Sequence, residues 1–306
     1  MITLSTVRRG PRYGHVDDNP TPLGYTVSLL IFLVPLVVLY GWHFRHGKGS
    51  TSRRALLWST AAVAVVGFVL DLGFAQSFFI YPNTGATLGL RVAGWSFAEM
   101  QWVRGYIPIE EFAFYILGAL FMTTLYVWAD VDWMPAYSPH EFDLRAKQQP
   151  RLIHLSAGAL AFFVIVIALG FAVKRFGPNP NGFPGYFLFL MLLGFLPTFL
   201  CVKGVAPFVN WRAFAYSYSI LLFIELLYET TLGVPYDWWN YHRDQMLGIH
   251  ISAWSDLPIE AVMLWMVVAW DCVIAFEVCR VFLHMDRKAS AALFGRTTPS
   301  EGSARA

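Results

Sequence analysis

Ile107-Pro108-Ile109-Glu110-Glu111 and Leu257-Pro258-Ile259-Glu260-Ala261 are two versions of one phrase. Each follows a tryptophan-rich polar stretch and opens a long apolar run. An ionisable side chain at the mouth of a membrane helix is costly, so its recurrence marks both an internal repeat and a place to look for function.

The composition makes those apolar runs membrane helices. Hydrophobic residues form 57% of the 306 and charged residues 14%, with a mean hydropathy of +0.50. A water-soluble domain could not cover so much apolar surface. A net charge of +2 excludes nucleic acid as a partner and leaves membrane lipid. Cys201, Cys272 and Cys279 lie in or beside apolar runs without CxxC spacing, which excludes a disulfide framework or a metal centre. The first 23 residues contain arginines and prolines but no apolar run, so no cleaved signal is expected and the first span serves for export.

Seven segments meet the spanning requirement of roughly 20 residues: 25–44, 55–75, 108–128, 152–173, 184–202, 211–228 and 257–283. The expected fold is all-α. Fourteen of the 22 Lys and Arg flank one set of loops, which puts the N-terminus outside and the C-terminus in the cytoplasm of a cytoplasmic membrane. Segments 1–3 and 5–7 share a plan: a helix, a second helix with acids near its outer end, an aromatic loop, then Pro-Ile-Glu. Three helices reverse the chain's direction, and the fourth restores it. The repeats are therefore expected to run parallel, with Glu110 and Glu260 on one membrane side. The expected units are a first repeat over 1–128, a polar connector and linker helix over 129–183, a second repeat over 184–286, and a disordered tail over 287–306.

Pro suits the first helical position, and Glu in the first turn meets the positive end of the helix dipole. A good helix start is therefore the structural reading of the motif. Other acids argue for more: Asp71, and Glu225 with Glu229 one turn apart on one face. Asp271 follows Glu260 by about three turns on the same face, roughly 16 Å deeper, where a structural hydrogen bond is the plain alternative. Glu277 and Arg280 are expected to pair at the far end. Glu110 and Glu111 diverge by roughly 100°, and the match to Glu260 makes Glu110 the expected cavity-facing acid. Trp95, Trp102, Tyr236, Trp238, Trp239, Tyr241 and Trp254 form an interfacial belt or line a site where ring faces steady a cation.

No Gly-x-Gly-x-x-Gly occurs, so no dinucleotide site of the Rossmann kind is indicated. His154, His242 and His250 lack the paired spacing of a metal hydrolase or diiron enzyme. The last span has no lysine for a retinal Schiff base, and a Gly-x-Ser-x-Gly elbow is absent.

Asp71 through Tyr106-Ile-Pro-Ile-Glu-Glu-Phe-Ala-Phe-Tyr115 resembles one half of the small, flavin-free membrane lycopene cyclases. So does Tyr228-Glu-Thr-Thr-Leu-Gly233 through Leu247-Gly-Ile249 to Glu260. The resemblance covers nearly the whole chain outside its tails. It implies a cofactor-free isomerase without metal, acting on a lipophilic isoprenoid beside other carotenoid-pathway enzymes. The reaction would start by protonating a terminal double bond, proceed through a tertiary cation to ring closure, and end with proton loss. Protonating an alkene needs a water-excluded acid, and burial keeps a carboxyl protonated. The implied catalytic residues are Glu110 as the acid, with Glu111, Asp71, Glu229 and Glu260 as partners. Trp95, Phe114, Trp238, Trp239, Trp254 and Asp271 would contact substrate. One departure is Ala261, where the family's second acid is expected. That leaves open another prenyl chain, such as a prenylated indole, as substrate. A small transporter with interior acids, or a non-catalytic lipid-binding subunit, fits the same pattern.

Overall fold

Backbone polar groups in hydrocarbon must bond one another, so apolar runs of this length fold as helices. The computed structural model describes residues 21–46 and 50–295. Among them, six helices are long and apolar enough to cross a membrane: Gly24–His43, Arg53–Phe78, Ile109–Trp133, Ala157–Phe176, Gly185–Val205 and Ile259–His284. This is the framework of a helical, multi-pass membrane protein. The expected sixth span also forms a helix, Trp211–Tyr228, but Arg212, Ser217, Ser219 and Glu225 keep it out of that set.

A one-turn helix, Gly24–Ser28, leads into α1 (Leu30–His46). Then come α2 (Ser50–Phe78), α3 (Ile109–Trp128), α4 (Pro139–Gln148), α5 (Ala157–Phe176), α6 (the span Gly185–Val205), α7 (Trp211–Tyr228), α8 (Ile259–His284) and α9 (Ala289–Phe294). Helices α3 and α8 form the centre. Helix α3 packs on α1, α2, α7 and α8, and α8 packs on α2, α6 and α7 as well. In the α3 span 61% of the most apolar stretch is buried, against 17% in α5. Helix α5 is therefore the least covered of these spans, and many of its apolar side chains are exposed.

Three expectations need correction. The stretch before α3 is no plain loop: β2 (Arg91–Ser96) and β3 (Gln101–Pro108) form an antiparallel hairpin with Trp95 opposite Trp102. Two further ribbons join β1 (Phe79–Ile80) to β4 (Asn240–Tyr241) and β5 (His250–Ile251) to β6 (Leu257–Pro258). The fold is therefore helical with small strands at one end, where the chain leaves the bilayer and its backbone needs partners. Second, the connector is not merely solvated. Ser138 and Glu141 form a capping box at the start of α4, which buries Phe142 and Ala146. Third, residues 287–295 of the expected disordered tail are ordered. Ala292 and Leu293 accept backbone hydrogen bonds from Leu152 and Ile153. Those bonds also hold 152–156 extended ahead of α5. Expectations for residues 1–20 and 296–306 lie outside the described residues.

The end of the bundle away from the hairpin is closed by charge. Arg280 reaches Asp130 at 2.8 Å and Glu277 at 3.3 Å, over the Phe142 ring at 4.1 Å. Tyr126 donates to Glu277 and accepts from the Asn210 backbone N–H. The Glu277–Arg280 pair is thus a structural clamp between α3, α7 and α8.

Candidate active site

The two Pro-Ile-Glu motifs adopt one local structure. Pro108 (φ −65°, ψ 144°) and Pro258 (φ −68°, ψ 146°) are extended and stand just before α3 and α8, not at the first helical position. The next residue ties back to the preceding loop: the Ile109 N–H donates to the Leu90 carbonyl and the Ile259 N–H to that of Ile249. Gly89 (φ 77°) and Gly248 (φ 92°) make the turns beside these anchors, in a conformation that costs glycine little.

Those turns aim a backbone N–H at each motif's first acid. The Leu88 N–H donates to Glu110 Oε1 at 2.7 Å, joined by Thr26 Oγ1 at 2.6 Å. The Leu247 N–H donates likewise to Glu260 Oε1. Glu110 and Glu260 therefore fasten loops to helix starts. The expectation that Glu110 faces the cavity is corrected: one residue on, 100° around the helix, Glu111 does.

Glu111 lines a small enclosed cavity with Tyr25, Phe79, Phe114, Tyr115, Glu229, Trp239, Tyr241, Leu264 and Trp265. Its volume is about 20 Å³, room for about one water. Tyr25 donates to Glu111 Oε2 at 2.5 Å and Tyr81 to Oε1 at 3.0 Å. Asp71 lies behind, hydrogen-bonded by Tyr115. Glu229 receives Trp239 Nε1 at 2.8 Å, the Tyr241 hydroxyl at 3.1 Å and Trp265 Nε1 at 3.3 Å. Burial, with Glu111 beside Tyr81 and Glu229 beside Tyr241, lifts both phenols well above their usual range. They stay protonated and can donate. Among the described residues no Lys or Arg lines the cavity.

Glu229 owes its position to a π turn, Glu229–Gly233, continuing α7. Such turns often occur at functional sites. Gly233 at its end lets the indole of Trp239 close in: a Cβ there would fall 2.2 Å from Trp239 Cζ2. Glu225, one turn earlier, is fully buried and neither of its carboxylate oxygens has a partner.

The same contacts recur with the two halves exchanged. Tyr25, following Gly24 at the start of the first span, packs on Trp238 (6.1 Å) and Trp239 (5.1 Å). Tyr186, following Gly185 at the start of α6, packs on Phe78 (4.9 Å) and Phe79 (5.3 Å). Ribbon β1–β4 lies between them, with Phe79 opposite Tyr241. Tyr115 and Trp265 stand at matching places, five residues after Glu110 and Glu260.

Of the expected site residues, Glu111, Glu229, Phe114 and Trp239 meet in the cavity, with Asp71 behind and Trp238 stacked on Tyr25. Trp95 and Trp254 are not brought there: Trp95 packs edge-on against Trp102 in the hairpin, and Trp254 lies in the turn Ser252–Trp254. Asp271 accepts a hydrogen bond from Thr198 at 2.6 Å, away from the cavity. The sequence reasoning missed Tyr25, Tyr81, Tyr115 and Trp265. The shared five-residue offset was a usable signal for Tyr115 and Trp265, and the Gly-Tyr that opens two apolar runs was one for Tyr25; Tyr81 has no such mark. No family model, curated protein or solved structure matches this chain.

Proposed function

We propose that this chain is a membrane-embedded isoprenoid cyclase that closes end rings on lycopene or a similar acyclic carotenoid. We also propose its architecture: seven spans, with α7 as the sixth, arranged as two parallel three-helix repeats joined by α5. The exchanged contacts of Tyr25 and Tyr186 support the repeats. The observation that carries the function is the meeting of Glu111 and Glu229 in one small cavity walled by aromatic rings and free of cations.

An acyclic polyene has no leaving group, so chemistry must begin at a double bond. The carboxyl proton of one acid adds to the terminal C=C and leaves a tertiary cation. The π pair of a nearby double bond attacks that cation, forming the ring bond and moving the charge. A ring C–H proton then passes to a carboxylate, and its bonding pair makes the new C=C. One proton enters and one leaves, so the product is an isomer and no oxidant is consumed. Glu111 is the proposed donor: Tyr25 and Tyr81 fix its position, while Glu229, with three donor side chains, is the better-stabilised carboxylate of the two. Glu229 is the proposed base, set by three donors. The rings of Phe114, Trp239 and Trp265 present π faces to a passing cation.

The test is expression in cells that accumulate lycopene, with pigments separated by chromatography. Mono- or bicyclic products that disappear in Glu111→Gln support the reading. Lycopene left untouched by a well-expressed wild type overturns it.

A further inference from the structure

A second cavity, about 1000 Å³, lies beside the acid site and is used by nothing described so far. It runs between the end of α2, the hairpin turn and the first turns of α6. Phe74, Phe97, Leu188, Phe189, Leu192 and Leu193 supply its walls. Phe97, Leu192 and Leu193 are also exposed on the outside, so the groove opens along a side of the bundle that faces lipid. Its size is at the upper end for small-molecule sites.

One layer of rings separates the groove from the acids. Phe78 lines the groove and Phe79, the next residue, lines the acid cavity. The Tyr186 ring packs against both and approaches Tyr241 at 6.4 Å. Tyr186 is buried, lies within electrostatic reach of Glu229, Asp71, Glu260 and Glu111, and its hydroxyl has no hydrogen-bond partner. Tyr25, Tyr81 and Tyr241 are each held by a carboxylate. Tyr186 is held only by ring packing, so it can turn aside without breaking a hydrogen bond.

The lining charges select the occupant. Among the described residues no Lys or Arg lines the groove, while Glu99 and Asp244 do, beside His242; Lys174 and Arg91 stand behind the wall, held by the Met246 and Tyr106 carbonyls. A fatty-acid carboxylate or a prenyl diphosphate would meet two lining acids and no cation among the described lining residues. An uncharged hydrocarbon meets aromatic and aliphatic walls. We propose that this groove seats the acyclic chain of an uncharged polyisoprenoid, with Tyr186 as the movable partition through which the chain end reaches Glu111 and Glu229. This rests on the cyclase reading, since a 20 Å³ cavity admits no isoprene unit until the partition moves.

The test uses the purified full chain in detergent and two probes. One is lycopene, an achiral polyene that gains circular dichroism in a chiral site; the other is a polyunsaturated fatty acid as competitor. Lycopene is expected to bind wild type and Glu111→Gln alike. Binding should weaken about tenfold in Leu188→Trp, which narrows the groove, and in Phe97→Asp, which charges its half-exposed rim. The fatty acid should not compete. Unchanged binding in Phe97→Asp and in folded Leu188→Trp, effective fatty-acid competition, or no wild-type binding overturns the groove. Lycopene bound but never converted overturns the cyclase reading and leaves the groove standing.

Discussion

Residues around the first Pro-Ile-Glu motif and residues around the second build one site, and the two motif helices differ at one carboxylate. In the first half Tyr25 and Tyr81 donate to Glu111 on α3, and Tyr115 donates to Asp71 on α2. In the second, Tyr241 and Trp265 donate to Glu229 at the end of α7, but α8 offers Ala261 where α3 has Glu111. Tyr186, the counterpart of Tyr25, is left with an unpaired hydroxyl. Helix α3 thus brings a second acid after its motif glutamate and α8 does not, and the buried Tyr186 hydroxyl is left without a hydrogen-bond partner. We take this as division of labour: the first half protonates, and the second supplies the base and the movable wall.

The largest effects should come from the cavity acids. Glu111→Gln keeps the shape and one accepting oxygen but removes the titratable proton. General acid catalysis contributes about 10²- to 10⁴-fold, and conversion measured by chromatography should fall by that order. Glu229→Gln should fall comparably. Should Glu111→Gln turn over normally while Glu229→Gln is dead, Glu111 is neither donor nor base and the proton chemistry rests on Glu229.

What the sequence reveals about this asymmetry is instructive. Spans show because each needs a long apolar run, and Ala261 stands out because the phrase around Glu260 repeats. The inward acid does not show. Repeat matching favoured Glu110, yet both conserved places in the phrase, Glu110 and Glu260, are taken by loop anchoring through Leu88 and Leu247. Helical geometry separates neighbours by about 100° but gives no starting angle, which only packing supplies. Tyr25 reaches Glu111 across 86 positions, a contact without local pattern. The hairpin was hidden because tryptophans serve equally at interfaces and in cross-strand pairs.

Next in size is an attempt to repair the second half. Ala261→Glu introduces a carboxyl at a fully buried position, where it should find the Tyr186 hydroxyl as Glu111 finds Tyr25. A thermal-stability cycle of Ala261→Glu with Tyr186→Phe should show coupling of about 1–3 kcal/mol. The cycle with Tyr25→Phe should show less. Equal coupling in both would mean that Tyr186 is not the counterpart described.

A smaller contrast separates the tyrosines. Tyr81→Phe leaves Glu111 with Tyr25 alone, whereas Tyr241→Phe leaves Glu229 with Trp239 and Trp265. A hydrogen bond is worth about 0.5–1.5 kcal/mol to a neutral group and about 1.5–3 to a charged one, but Tyr81 is one of only two side chains positioning Glu111, so the half with fewer donors should suffer more. Conversion should therefore drop further in Tyr81→Phe, with both variants folded. A greater loss in Tyr241→Phe would shift the weight of the chemistry to the second half.

The smallest effects should come from the residues that look most alike. Glu110 and Glu260 each receive a backbone N–H on Oε1, and each leaves Oε2 buried without a partner. An amide keeps the acceptor oxygen, so Glu110→Gln and Glu260→Gln should each change stability by no more than about 1 kcal/mol and preserve conversion. Alanine at either place removes the acceptor and strands a loop N–H, at a cost of about 1–3 kcal/mol, seen as a lower Tm. Matching behaviour would place the functional asymmetry at Glu111 and Ala261. Loss of conversion in folded Glu110→Gln, with Glu260→Gln active, would move it one residue back: Glu110 would then give up a proton as well as hold its loop, and the two helix starts would differ in chemistry despite sharing a geometry.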